Sequence, residues 1–292
     1  MNLYKNQLLT ILSLVVVSCT AVNPPAPAFL TPLPEPRSVE WATSYFDVHY
    51  CMDGVLPLKM TITLPTKPMR TPTPLLVHTK ISSELIRPLV ERGFAVASVD
   101  WREPPDFKLP KGIEETKCAI RYLRANAEQF SIDPNQIGVF GCSRGAHMAA
   151  MIGVTDASAD MEGDMGFPDQ SSRVQAVVMF DGIADFGTNY ADAPGELEQI
   201  HGIKSFDDPL MAQLSPVTFV SADDPPFLLI TSKDKHYQSE ANRLADALTA
   251  QGVSATYLQA EGANHCQYAL SGPHTTAAMA VIIGDFFEGI LK

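Results

Sequence analysis

Hydrophobic positions recur along this chain with two alternating periods. Tyr45 to Met52 and Leu58 to Leu64 are rich in β-branched and aromatic residues, and the turn pair Asp53-Gly54 lies between them, so a hairpin is predicted. Short apolar runs follow at Pro74–His78, Phe94–Asp100, Gln136–Gly141, Val174–Asp181, Pro226–Thr231 and Ser254–Ala260, and each reads as a buried strand. Between them the period changes to 3–4. Ile113, Thr116, Ile120, Leu123 and Ala127 share one face of a helix over Ile113–Glu128, broken at Asp133-Pro134. Further helices are predicted over Glu84–Arg92 (stopped by Gly93), Arg144–Ile152, Gln238–Gln251 and Thr275–Leu291. Strands separated by helices imply an α/β fold: a mostly parallel sheet covered on both faces, with the hairpin adding antiparallel strands at one edge. Thr155–Ser172 and Gly187–Ser215 are weakly periodic and are expected to be loops or a small lid over the strand ends.

The first 40 residues lie outside this pattern. Lys5 precedes an apolar run, Leu8–Val17, which is too short for the ~20 residues a membrane-spanning helix needs. A basic start, a short apolar run and small residues describe an export signal. Val16-Val17-Ser18-Cys19 resembles the bacterial lipoprotein cleavage box, which implies a lipid on Cys19; Thr20, rather than Asp, implies delivery to the outer membrane. Plain secretion is the alternative. Pro24, Pro25, Pro27, Pro32, Pro34 and Pro36 then favour an extended tether, reaching roughly 60 Å at ~3.1 Å per residue. The expected organisation is a signal peptide over 1–18, a tether over 19–40 and one catalytic domain over 41–292.

Composition narrows the partners. With 21 basic and 33 acidic residues the chain carries a formal charge of −12, which argues against a nucleic-acid partner and against adsorption to anionic lipid. Any membrane contact is expected through the N-terminal anchor alone. Hydrophobic residues at 46% over 292 positions are enough for a full core.

The candidate chemistry sits at strand ends. Gly141-Cys142-Ser143-Arg144-Gly145 follows a strand and opens a helix. In that context G-x-S-x-G is a tight elbow that exposes Ser143 beside a helix N-terminus. A hydroxyl is a weak nucleophile until a base takes its proton. His265, delivered after the last strand by Glu261-Gly262-Ala263-Asn264, is the candidate base. His49, His147, His201, His236 and His274 are placed less suitably. The third member orients the imidazole and stabilises its charge. Asp234, after Pro226–Thr231, is the expected carboxylate, because Asp223 and Asp224 precede that strand at the wrong end of the sheet. The order Ser143, Asp234, His265 is the α/β-hydrolase order.

These residues, with Asp100-Trp101-Arg102, Ile120–Asn126, Ile132-Asp133-Pro134, Gln170–Val178, Ser215–Thr218, Asp223–Leu228 and Glu261–His265, resemble the α/β-hydrolase superfamily over about residues 45–290. Within it the chain is similar to the bacterial acetyl/feruloyl esterase-like branch, related to hormone-sensitive lipase. The resemblance implies a serine carboxylesterase without metal or cofactor, acting on a small ester or an esterified polysaccharide. The sequence departs from the family at His78-Thr79-Lys80-Ile81, where a His-Gly-Gly-Gly loop usually supplies half of the oxyanion hole. The expected donors are the N–H groups of Arg144, Lys80 and Ile81. Arg144 itself replaces a small residue, either to bind an acidic substrate or, the reading favoured here, to pair with a nearby carboxylate.

Cys142 precedes Ser143 and Cys266 follows His265. Fungal tannases and related feruloyl esterases carry this Cys-Ser…Asp…His-Cys arrangement with a disulfide under the triad. The resemblance therefore implies a Cys142–Cys266 disulfide, which an oxidising compartment permits. Cys51 and Cys118 are expected to be small core residues. The rival reading is a binding lipoprotein that kept the fold and lost its oxyanion loop.

Overall fold

A computed structural model describes residues 32–79, 83–102, 109–189, 195, 197–198, 203–269 and 271–292. One nine-stranded sheet organises them. Its strands are β1 (Arg37–Ser38), β2 (Ala42–Asp53), β3 (Leu56–Pro65), β4 (Thr73–His78), β5 (Ala95–Asp100), β6 (Ile132–Cys142), β7 (Ala176–Phe180), β8 (Phe227–Thr231) and β9 (Ala255–Gln259). Their spatial order is β1-β2-β3-β5-β4-β6-β7-β8-β9. The hairpin pairs antiparallel with β5, and everything from β5 to β9 is parallel. Arg37 and Ser38, assigned to the tether from sequence, pair with Ser44 and Thr43 at the sheet edge.

The helices are α1 (Ile86–Glu91), α2 (Lys111–Ala125), α3 (Arg144–Val154), α4 (Phe186–Asn189), α5 (Pro209–Gln213), α6 (Lys235–Ala250) and α7 (Thr276–Leu291). Alternation along the central strands divides the core between the two faces. In β8, Phe227 and Leu229 pack with α2, α3 and α6, while Leu228 and Ile230 pack with α1 and α7. Both sets are buried, as expected of a parallel strand covered on both sides. Pro134 does not end α2, which stops at Ala125; it lies in the irregular entry to β6, where the register to β4 jumps between Thr73 and Leu75.

Two further features differ from the sequence reading. Cys51 and Cys118 are not free thiols; they form a disulfide, Cα atoms 6.4 Å apart, that joins β2 to α2. Residues 155–172 connect α3 to β7 at the N-terminal edge of the parallel strands, not over their C-terminal ends, because a strand–helix unit returns the chain to where the strand began. Glu162 in this segment pairs with the buried Lys117 (2.6 Å) and Arg121 (2.7 Å) of α2, which holds the segment down.

Candidate active site

The neighbours of β4 are β5 on one side and β6 on the other, so the chain reverses its direction of growth there. In open α/β sheets ligands bind at such a switch point, outside the carboxyl ends of the strands. Thr79 directly follows β4 and Ser143 directly follows β6 at that point.

The turn at Ser143 has a steric cause. Ser143 has φ 56° and ψ −123°, a left-handed backbone that a non-glycine residue adopts only under constraint. A Cβ on Gly141 would lie 2.3 Å from Gly145 O and 2.4 Å from Thr79 Oγ1, so the chain closes this tightly only with glycine there. Thr79 Oγ1 donates to Gly145 O at 2.7 Å and ties the end of β4 to the elbow. The Ser143 N–H donates to Phe180 O at 3.0 Å, which fastens the elbow to β7.

Ser143 Oγ is 3.0 Å from His265 Nε2. Nδ1 of the same ring lies 3.5 Å from Asp181 Oδ2. Asp181 follows β7 directly and is 1% exposed. Its carboxylate accepts from the N–H of Ser232 (2.8 Å) and of Cys266 (3.3 Å). Burial pushes its pKa up, and those N–H groups and the imidazole oppose that by favouring the charged form. Backbone of the loop after β7 is held in turn by the buried Glu240 of α6, which accepts from the N–H groups of Ala184 and Asp185, both at 2.8 Å.

The expectation for Asp234 is therefore corrected. Asp234 is exposed and caps α6, accepting from the His236 N–H at 2.9 Å. A carboxylate at an N-cap satisfies an orphan donor of the helix, and that is the use this one has. The loop contributes to the site in another way. Tyr237, in the first turn of α6, stacks on His265 with centroids 4.6 Å apart and planes 15° apart. Neither Asp181 nor Tyr237 was among the residues expected from sequence. The signal for Asp181 was present in Phe180-Asp181-Gly182, a carboxylate at the end of a buried strand, but its value depends on β7 being the neighbour of β6.

Cys142 and Cys266 are joined, with Cα atoms 5.8 Å apart. Their neighbours Ser143 and His265 are thereby held together from two chain segments 124 residues apart. Arg144 is the first residue of α3, where helix N–H groups lack an intrahelical acceptor. Lys80 and Ile81, the other expected oxyanion donors, lie outside the described residues, as does Cys19. His78 is not part of that loop; it closes β4, buried, with Nδ1 3.1 Å from Ser98 Oγ.

A serine at a strand-to-helix elbow, met by a histidine from the loop after the last strand, defines the α/β-hydrolase class. The chain belongs to the BD-FAE family, which matches it over residues 77–246. Among curated relatives, esterase LipC of Mycobacterium tuberculosis is 31% identical over 197 residues, covering 64% of this chain and 48% of LipC. Esterase LipQ of the same organism is 28% identical over 211 residues, covering 69% of this chain and 49% of LipQ. The chain thus spans about half the length of the curated relatives it matches. Among solved structures, a truncated form of a carbohydrate esterase from gut microbiota matches with a TM-score of 0.74 and 26% identity, covering 88% of this chain and 99% of that one.

Proposed function

We propose that this protein is a serine carboxylesterase in which Ser143, His265 and Asp181 act as the triad. The observation that carries the reading is the 3.0 Å approach of Ser143 Oγ to His265 Nε2, with Asp181 at the other ring nitrogen. His265 takes the Ser143 proton as Oγ attacks the ester carbonyl, and the charge passes to the carbonyl oxygen. The Arg144 N–H at the start of α3 stabilises that oxyanion. Collapse of the intermediate expels the alcohol, which leaves with the proton from His265. Water, activated by the same imidazole, then releases the acid. Asp181 keeps the proton on Nδ1 and stabilises the imidazolium.

The ester is an acetyl or feruloyl-type ester of a carbohydrate. Support comes from the family match and from the gut-microbiota relative, which is named a carbohydrate esterase. The protein works outside the cytoplasm, carried there by the signal of residues 1–18 and held by a lipid on Cys19. Two disulfides fit that compartment, since cytosolic thiols stay reduced.

The test is turnover of p-nitrophenyl acetate by the full chain. Ser143→Ala is expected to lower kcat by at least ~10⁴-fold, and Asp181→Asn by ~10³–10⁴-fold. Asp234→Asn is expected to stay within about threefold, because Asn caps a helix about as well as Asp. A collapse in Asp234→Asn with activity kept in Asp181→Asn would reverse the assignment of the acid.

A further inference from the structure

The His265 side chain is 40% exposed, so the core does not hold its ring. Rotation of an imidazole about its outer side-chain bond is soft, with broad wells. Such a rotation would carry Nε2 off Ser143 and Nδ1 off Asp181 together. The acid resists it weakly, because 3.5 Å from Nδ1 to Asp181 Oδ2 is longer than the roughly 2.7–3.2 Å of a good N–H···O hydrogen bond. The Cys142–Cys266 disulfide fixes the backbone beside His265 but not the plane of its ring.

The plane is set by Tyr237. Its ring lies 4.6 Å from the imidazole and 15° from parallel, so it covers one face. Tyr237 is half-buried and packs in neither hydrophobic cluster of the core, so its ring is not spent on core packing. The neighbouring His236 meets the tyrosine edge-on, centroids 5.2 Å apart. The support behind the ring is rigid. Tyr237 is the third residue of α6, a helix of 16 residues whose start Asp234 caps. Three residues further on, the buried Glu240 carboxylate accepts from the Ala184 and Asp185 N–H groups and from Thr188 Oγ1, each at 2.8 Å. One helix therefore holds both the ring stacked on the imidazole and the loop that carries its acid.

We propose that Tyr237 is a positioning residue of the ester hydrolysis, acting through His265: it holds the imidazole plane and favours the imidazolium that forms when Nε2 takes the Ser143 proton. The inference rests on the esterase reading. As the bond from Oγ to the carbonyl carbon forms, the O–H bond breaks, its electron pair stays on Oγ and its proton passes to Nε2. The ring thus goes from neutral to cationic. A cation within about 6 Å of an aromatic face is attracted by it. That attraction grows only as the proton is transferred, so it raises kcat rather than tightening substrate binding. His265 serves acylation and deacylation alike, so kcat carries the effect whichever step is slower.

The experiment is steady-state turnover of p-nitrophenyl acetate by the full chain carrying Tyr237→Leu or Tyr237→Phe. Tyr237→Leu is expected to lower kcat by ~10-fold with KM unchanged within about twofold, and Tyr237→Phe, which keeps the ring, to recover kcat to within about threefold of the parent. Residues that act as a unit are not additive, so in a His265→Ala background Tyr237→Leu is expected to change the residual rate by less than about twofold. Tyr237→Gln replaces the Leu variant, with the same outcomes, if circular dichroism shows that Leu is not tolerated. Unchanged kcat in Tyr237→Leu overturns the role, and so does a rise in KM with kcat kept, the sign of a substrate contact. A loss that persists in the His265→Ala background, or a Phe variant as slow as the Leu variant, overturns it as well. The two readings fail apart: a parent no faster than Ser143→Ala removes the esterase and this role with it, while an active parent indifferent to Tyr237→Leu removes the role alone.

Discussion

His147 shows what burial does to a single titratable group. It sits on α3 one turn beyond Ser143, 3% exposed, with Nε2 2.7 Å from the Leu214 carbonyl. A carbonyl only accepts, so Nε2 carries the proton and Nδ1 is bare. Burial lowers the pKa to about 4, against about 6.5 for an ordinary histidine. Between those values the unfolded chain binds a proton that the folded chain does not. Stability is therefore full above about pH 6.5 and falls as pH drops toward 4, by about 3 kcal/mol for this group. His147→Gln keeps a donor for Leu214 and removes the titration. Urea denaturation at pH 7 and pH 4 is expected to show the parent losing about 3 kcal/mol more than the variant. Equal losses would contradict the assignment. Asp181 and Asp234 show how position decides use at the same scale. Both are aspartates just past a strand, yet one is buried against an imidazole and the other is spent on a helix cap.

At the scale of elements, the pieces that hold the site are fixed from outside it. The Cys51–Cys118 disulfide ties the hairpin to α2 and closes a loop of 67 residues in sequence separation. By loop-closure entropy a cross-link of that span stabilises by about 4 kcal/mol. The double variant Cys51→Ala/Cys118→Ala is expected to lose about that much in chemical denaturation, and a loss under 1 kcal/mol would show that the hairpin is held by packing alone. Packing there is substantial, since Val48, Tyr50, Leu58, Met60 and Ile62 are all buried in the cluster beneath α2. The longer elements were legible, because period-two and period-3.6 patterns are local; the short β1, α4 and α5 were not. Element function was less legible. The segment over 155–172 read as a loop or small lid because it lacks periodicity, yet its acidic Glu162 serves two buried cations of α2, a contact that no local pattern announces.

At the scale of the whole molecule, the proposed N-terminal export signal precedes an acidic chain of formal charge −12. The proposed anchor predicts that a fatty-acid analogue fed to a bacterial host labels the full chain and that Cys19→Ala abolishes the label while shifting the protein from the membrane to the soluble fraction. Labelling that survives the substitution would remove the lipoprotein reading and leave plain secretion. Among the described residues no helix is long and apolar enough to cross a membrane.

Sequence alone determined the alternation of strands and helices, the parallel sheet and the elbow at Ser143, and it pointed to His265 as the side chain that meets that serine. Each of these is written in a contiguous stretch, as hydrophobic period, glycine spacing or a short loop after a strand. The tertiary structure decided which carboxylate meets the imidazole and which cysteines pair beyond those flanking Ser143 and His265. The physical reason is that strand neighbours are not chain neighbours. His265 meets both Ser143 and Asp181 because β7 lies beside β6, with Cys142 opposite Phe180, and that pairing is made by burial across a sequence separation of 38.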